Sequence, residues 1–198
     1  MNPTTLHTGT LISIVLAGFL LRKRLNFSCI CGIIISLNQN LVGYCNMLIR
    51  TAKKDDFEQI DKMFHHLYSL HIENRPDIFN DNGYPYSLKW FTKIIKDKNS
   101  ITLVYEDNGE ICGFCFGKIN SKSTPTLKTI ADIDDIFVDE KYRKKGIATL
   151  LYKEFEQIAK QSGAYQVRLC LWSFNREAEA FYRKMGMNEQ RVIMEKNI

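Results

Sequence analysis

Two hydrophobic periodicities alternate along residues 47–198 of this 198-residue chain. Apolar residues in every second position or in short unbroken blocks predict strands at 48–52, 101–105, 111–116, 129–138, 166–172 and 187–196. Between them, helical spacing with capping residues predicts four helices. The first starts at Asp55 or Asp56 as N-cap and runs to about Leu70, and the second covers 87–97. The third follows Gly146, where Ile147, Leu150, Leu151, Phe155 and Ile158 recur on one face before a stop at Gly163. The fourth runs from Asn175 to Met185. Asp107-Asn108-Gly109 is the strongest hairpin signal. The order strand-helix-helix-strand-strand-strand-helix-strand-helix-strand predicts an α/β (α+β) layered domain with a mixed central sheet. No internal repeat or low-complexity tract interrupts it.

The first 46 residues break this pattern. They hold apolar runs at 11–21 and 29–37, separated by Arg22, Lys23 and Arg24, and no acid at all. A secretory signal would place its cations ahead of the apolar core, and here they follow it. An eleven-residue run makes a helix of roughly 16 Å, about half of a ~30 Å hydrocarbon core, so stable membrane insertion is not expected. The reading favoured is translated sequence ahead of a natural start at Met47; a membrane-associating leader and an added hairpin are the alternatives. The expected organisation is therefore 1–46 as an acid-free leader without a part in the chemistry and 47–198 as the working domain.

Charge narrows the partners. The chain's net charge of +5 falls to +2 once the leader is set aside, with 24 cations against 22 acids remaining. That gives no basis for nucleic-acid binding. Six cysteines without paired clusters near histidines fit a reducing cytosol, and cytoplasmic localisation is the expectation. Cys112 and Cys115, three apart in an apolar strand, should face opposite ways and serve as buried thiols. His65 and His66 lack a metal-spaced partner, so no metal is expected.

The chemistry-bearing stretch runs from Ala131 to Gly163. A strand leads through residues 139–145, Asp-Glu-Lys-Tyr-Arg-Lys-Lys, to Gly146 and a long helix. Arg143, Lys144 and Lys145 thus sit beside a helix N-terminus whose N–H groups are unpaired, a place suited to a phosphate. Gly146 lets the backbone approach such a group, and Ala148 keeps bulk away. Neither of the familiar glycine-rich nucleotide loops is present.

Arg143-x-x-Gly146-x-Ala148 after such a strand resembles the acetyl-CoA pyrophosphate motif of the GNAT superfamily of N-acetyltransferases. A second stretch, with Trp172, Asn175, Ala178, Phe181, Tyr182 and Gly186 at matching spacing, resembles the fifth strand and fourth helix of that superfamily. The likeness covers roughly residues 47–198. It implies the GNAT-type acyl-CoA N-acyltransferase fold, with helices on both faces of the sheet and two splayed strands, 131–138 and 166–172, admitting the pantetheine arm. It also implies acetyl-CoA as co-substrate, bound by the backbone of Ile136, Phe137 and Val138, by Arg143, Lys144, Lys145, Gly146, Ile147 and Ala148, and by Asn175.

Acetyl transfer to an amine needs a polarised carbonyl, a neutral amine and a proton for the leaving thiolate. By the resemblance, Tyr182 is the general acid; its other reading is packing in the stripe of Ala178, Phe181 and Met185. Asp134 is the first candidate base and Asp132 the second, with water as the third option. A glutamate that other members carry on the fifth strand is replaced here by Cys170. Residues 71–90 are expected to form the acceptor wall, with Glu73, Asp77 and Asp81 to attract an ammonium and Phe79, Tyr84, Tyr86 and Trp90 to pack against its carbon skeleton. The acceptor is expected to be a small-molecule amine or a peptide amine, with a homodimer as an open option. The competing reading is a non-catalytic acyl-CoA sensor of the same fold.

Overall fold

The structure is a computed structural model that describes residues 47–120, 128–196 and 198. The expectations for the leader lie outside the described residues. Among these residues, nine strands and α-helices follow in order: β1 Met47–Thr51, α1 Phe57–Asn74, α2 Leu88–Ile94, β2 Ser100–Asp107, β3 Glu110–Asn120, β4 Ile130–Val138, α3 Ile147–Gln161, β5 Gln166–Leu169 and α4 Arg176–Lys184. The five strands form one sheet in the order β1-β2-β3-β4-β5. The first three pairings are antiparallel and β4 with β5 is parallel, with α3 as the crossover between them.

Local chemistry explains most boundaries. Asn108 and Gly109 both take positive φ, at 51° and 85°, as a two-residue turn matching the strand twist requires. Ser87 and Asn175 cap α2 and α4 by accepting the N–H of Trp90 and of Ala178. Asp56 precedes α1 but does not cap it with its side chain. Its carboxylate accepts the Lys53 N–H at 2.6 Å and two bonds from Arg50 at 2.7 and 2.8 Å. Arg50 also binds Glu106, which fastens β1, β2 and the start of α1 together.

Two apolar clusters lie on opposite faces of the sheet. One joins α3 and Tyr182 of α4 to Ile101, Leu103, Ala131 and Ile133. The other packs Ile60 and Phe64 of α1 and Phe91 of α2 on Val104, Phe114, Phe116 and Phe137. Phe64, Phe91, Phe114 and Phe155 are fully buried, and truncating any of them to alanine should cost about 3–5 kcal/mol.

Four expectations are corrected. The first helix continues a turn beyond Leu70, to Asn74. The strand expected over 166–172 ends at Leu169. Residues 187–196 form no strand. Val192, Ile193 and Met194 are a continuous rather than alternating run, 68%, 81% and 86% exposed, so no sheet face collects them. Finally, Cys112 and Cys115 join the same cluster instead of facing apart. A β-bulge opposite Tyr105 and Glu106 inserts a residue into β3 and reverses the alternation. Both thiols are nevertheless buried, as expected.

A second bulge shapes β4. Phe116 pairs with Asp135 and Gly117 with Ile133, which leaves Asp134 as the extra residue. Gly117 is required there: a Cβ on it would lie 2.1 Å from the Asp132 carbonyl oxygen and 2.8 Å from Phe155.

Candidate active site

The parallel pairing of β5 reaches only the first four residues of β4, from Ile130 opposite Gln166 to Ile133 opposite Leu169. From Asp134 to Val138, β4 is paired with β3 on one side and with no strand on the other among the described residues. Alternate residues of an antiparallel pair turn their backbone groups outward, so those of Ile136 and Val138 face this open edge, the Val138 carbonyl also accepting from Arg143, and an extended ligand can pair there as an added strand would. The bulge lies where this free edge begins.

The helix that follows presents the second feature. Gly146 stands at the N-cap of α3 with φ 83°, and Lys144 two residues earlier has φ 61°. No side chain caps the helix and its first turn contains no acid. Nothing lies within 4 Å of a Cβ built on Gly146, so the space in front of it is open. The first N–H groups of a 15-residue helix thus face an unobstructed approach. Lys144 and Lys145 are exposed beside it, the Lys145 ammonium 5.0 Å from the Tyr142 ring centre. Arg143 is more committed: its Nε donates to the Val138 carbonyl at 3.0 Å, and Glu140 lies 3.5 Å from its Nη1. Arg143 therefore fixes the turn from β4 into the loop.

Tyr182 projects from α4 into the cluster under α3, where it is 8% exposed. Among the described residues its hydroxyl has no hydrogen-bond partner, and since none of their fully enclosed polar side-chain atoms is unpaired, the hydroxyl is not fully enclosed. Burial, with smaller contributions from Cys115 and the Asp135 charge, raises its pKa above the ordinary phenol value, keeping it protonated. Asn175 spends its side-chain oxygen on the Ala178 N–H at 3.1 Å.

The three aspartates of β4 separate into different roles. Asp132 accepts from Arg168 Nε and Nη2 at 2.6 and 3.0 Å and also from Asn120. The Arg168 bonds hold its carboxyl below the usual range against the effect of burial. A carboxylate so engaged is a poor proton acceptor. Asp134 is half exposed, 3.9 Å from Lys118, and its pKa is pushed up by burial, with Lys118 opposing. Asp135, three positions from Asp132, shares its face because the bulge interrupts the alternation, and it points toward α1 and α2. There the Tyr86 hydroxyl lies 3.4 Å from its Oδ2. Burial, then the neighbouring Asp134 charge, pushes its carboxyl up to about 6. It is the acidic residue that sequence reading missed; three aspartates within four positions hinted at it, but only the register assigns its face.

The expected acceptor wall is partly committed to structure. Asp77 is paired with Arg75, at 2.7 Å, and Arg75 lies 5.1 Å from the Trp172 ring centre and 3.0 Å from Glu195. Phe79 meets Trp172 and His71, and Tyr84 stacks on His65 at 4.0 Å and donates to Asp61 at 2.6 Å. Tyr86 stacks on Phe64 at 3.9 Å and reaches the aspartates. Glu73 and Asp81 are exposed and apart from them. No cluster of metal-ligating side chains occurs among the described residues, nor any helix long and apolar enough to cross a membrane.

Comparison with known proteins matches residues 64–187 to the acetyltransferase (GNAT) family model. An N-alpha-acetyltransferase of Sulfurisphaera tokodaii is 30% identical over 151 residues, covering 73% of this chain and 82% of that protein. An uncharacterized N-acetyltransferase of Methanocaldococcus jannaschii is 29% identical over 73% of this chain, which spans 62% of the relative's length. Among solved structures, a mutant of a Bacillus halodurans protein superposes with TM-score 0.71 and 26% identity, covering 76% of this chain and 99% of that one. An aminoglycoside N-acetyltransferase solved in complex with CoA shares the fold, with TM-score 0.62 and 18% identity over 79% of this chain and 98% of that one.

Proposed function

This chain belongs to the acetyltransferase (GNAT) family, and on that premise we propose that it transfers an acetyl group from acetyl-CoA to a primary amine by direct attack in a ternary complex. The observation that carries the reading is the free edge of β4 from Asp134 to Val138, with Tyr182 in the cluster on one face of the sheet and Asp135 turned to the other. An extended thioester laid along that edge would have an acid on one side and carboxylates on the other.

The residues divide the work as follows. The outward backbone groups of Ile136 and Val138 hold the pantetheine arm and polarise the acetyl carbonyl, while Phe137 turns its own toward β3. The N–H groups following Gly146, at Ile147 and Ala148, hold the pyrophosphate with Lys144 and Lys145, while Arg143 keeps the loop in place through Val138. Asn175 orders the start of α4 beside the site. Acetyl-CoA supplies the activated carbonyl. The Asp134–Asp135 pair takes the proton from the acceptor ammonium, the amine nitrogen bonds to the carbonyl carbon, the C–S bond breaks, and Tyr182 gives its proton to the departing sulfur. Asp132, locked by Arg168, acts as a brace for β4 and β5 rather than as the base.

The test is thiol release with acetyl-CoA against small amines, diamines, aminoglycosides and peptides with a free N-terminus or lysine. Turnover with at least one acceptor, abolished in an Asp134→Asn/Asp135→Asn double variant that still binds acetyl-CoA, is the expected result. Tight CoA binding with no acceptor above the hydrolysis background would make the protein an acyl-CoA sensor instead.

A further inference from the structure

On the α2 side of the sheet lies a cavity of about 190 Å³ bounded by Trp90 and Ile94 above and by β2, β3 and β4 below. Its floor is a straight row across three strands, since Thr102 pairs with Phe116 and Phe116 with Asp135. Two strand spacings separate the ends of the row, about 10 Å. Cavities of about 150 Å³ hold a benzene ring, so this one has room for a short carbon chain.

The polar groups in it are unequal in sign and in occupation. Asp97, Asp134 and Asp135 face it against the single cation Lys118 among the described lining residues, so the lining favours a positive guest. Thr102 is 4% exposed, and among the described residues its hydroxyl has no hydrogen-bond partner. Since no fully enclosed polar side-chain atom among the described residues lacks a partner, that hydroxyl opens into the cavity. A buried hydroxyl left unmatched costs free energy that a ligand group can recover. It points to a guest with a polar group at its far end. Between the two ends, the Phe116 floor and the Trp90 wall are apolar and aromatic, suited to methylene groups and to a cation over a ring face.

We propose that this cavity binds an unbranched alkylammonium arm, with its reacting nitrogen at Asp134 and Asp135, its methylenes across Phe116 under Trp90, and a second polar or cationic group at Thr102 and Asp97. A row of about 10 Å with a hydrogen bond at each end limits the arm to a short chain of a few carbons. Free α,ω-diamines and a lysine side chain share this chemistry. The assignment rests on the acetyltransferase reading for what happens to the nitrogen, but not for binding itself.

Calorimetric titration without acetyl-CoA tests it, using 1,4-diaminobutane for the free amine, Nα-acetyl-lysine methylamide for the side chain, and n-butanol as the uncharged control. At least one amine should bind saturably while butanol does not. Thr102→Leu, which fills the cavity, should weaken that binding tenfold or more, and the near-isosteric Thr102→Val should weaken it severalfold with the fold intact. Whichever amine binds more tightly identifies the source of the arm. No saturable binding by either amine, or equal affinity in the parent and both variants, overturns the pocket assignment. Binding that obeys these rules without thiol release upholds the pocket and sinks the transferase reading; thiol release from a linear amine that Thr102→Leu leaves unchanged does the reverse.

Discussion

The Tyr86 hydroxyl lies 3.4 Å from Oδ2 of Asp135, across the space between the start of α2 and the bulge of β4. The contact joins the loop before α2 to the edge of the sheet where pairing with β5 stops. It also fixes the surroundings of a carboxyl that burial and the Asp134 charge push up to about 6.

That carboxyl makes stability depend on pH in a defined direction. Its folded pKa exceeds the unfolded value of about 3.9, so the native state binds more protons between the two, and stability falls as pH rises through this window. The cost is absent below about pH 4 and complete above about pH 6. Asp135→Asn should therefore raise stability at pH 8 by up to about 2–3 kcal/mol and leave it nearly unchanged at pH 4. Thermal melts of both proteins from pH 4 to 8 check this. A melting difference that stays constant with pH would show that Asp135 is not desolvated in the folded protein.

What the sequence disclosed and what it hid follow from the range of the interactions. Asn108-Gly109, Ser87, Asn175 and Gly146 act within a few residues of themselves, and their turns and caps formed as read. The layers were legible for the same reason, because Leu151 and Phe155 on α3 mark its buried face by spacing alone. Asp135 was not legible, since its face depends on a bulge created where Gly117 lets β3 approach the Asp132 carbonyl. The same applies to Cys112 and Cys115. The short β5 escaped too: residues up to Trp172 have strand-like composition, yet the last three lack the β4 partner that would make them a strand. Thr102 read as one polar letter in an apolar strand, and only the cavity beside it gives its hydroxyl meaning.

The open approach to Gly146 predicts how the cofactor site fails. A valine there would have to adopt φ near 83°, a conformation costly for a β-branched residue, and would place its methyls in front of the first N–H groups of α3. Gly146→Val should lower acetyl-CoA affinity at least tenfold, whereas the double change Lys144→Ala/Lys145→Ala should weaken it less and mainly at low salt. Affinity measured at two ionic strengths distinguishes them. Unimpaired binding by Gly146→Val would remove the pyrophosphate from this helix.

Tyr182 supplies the sharpest test of mechanism, because its two readings predict different observables. As the general acid it gives a proton to the leaving thiolate, so Tyr182→Phe should lower kcat by about 10²–10⁴ while acetyl-CoA affinity stays close to that of the parent. As a packing residue it would lose only a hydroxyl without a partner among the described residues, so neither stability nor turnover should change much. The free hydroxyl therefore makes the usual ambiguity of core tyrosines small: a damaged kcat cannot be traced to a broken internal hydrogen bond. Rapid-mixing measurement of thiol release with a saturating amine separates chemistry from product release. A Tyr182→Phe enzyme whose chemical step runs at the parental rate would end the acid assignment and leave water to protonate the sulfur.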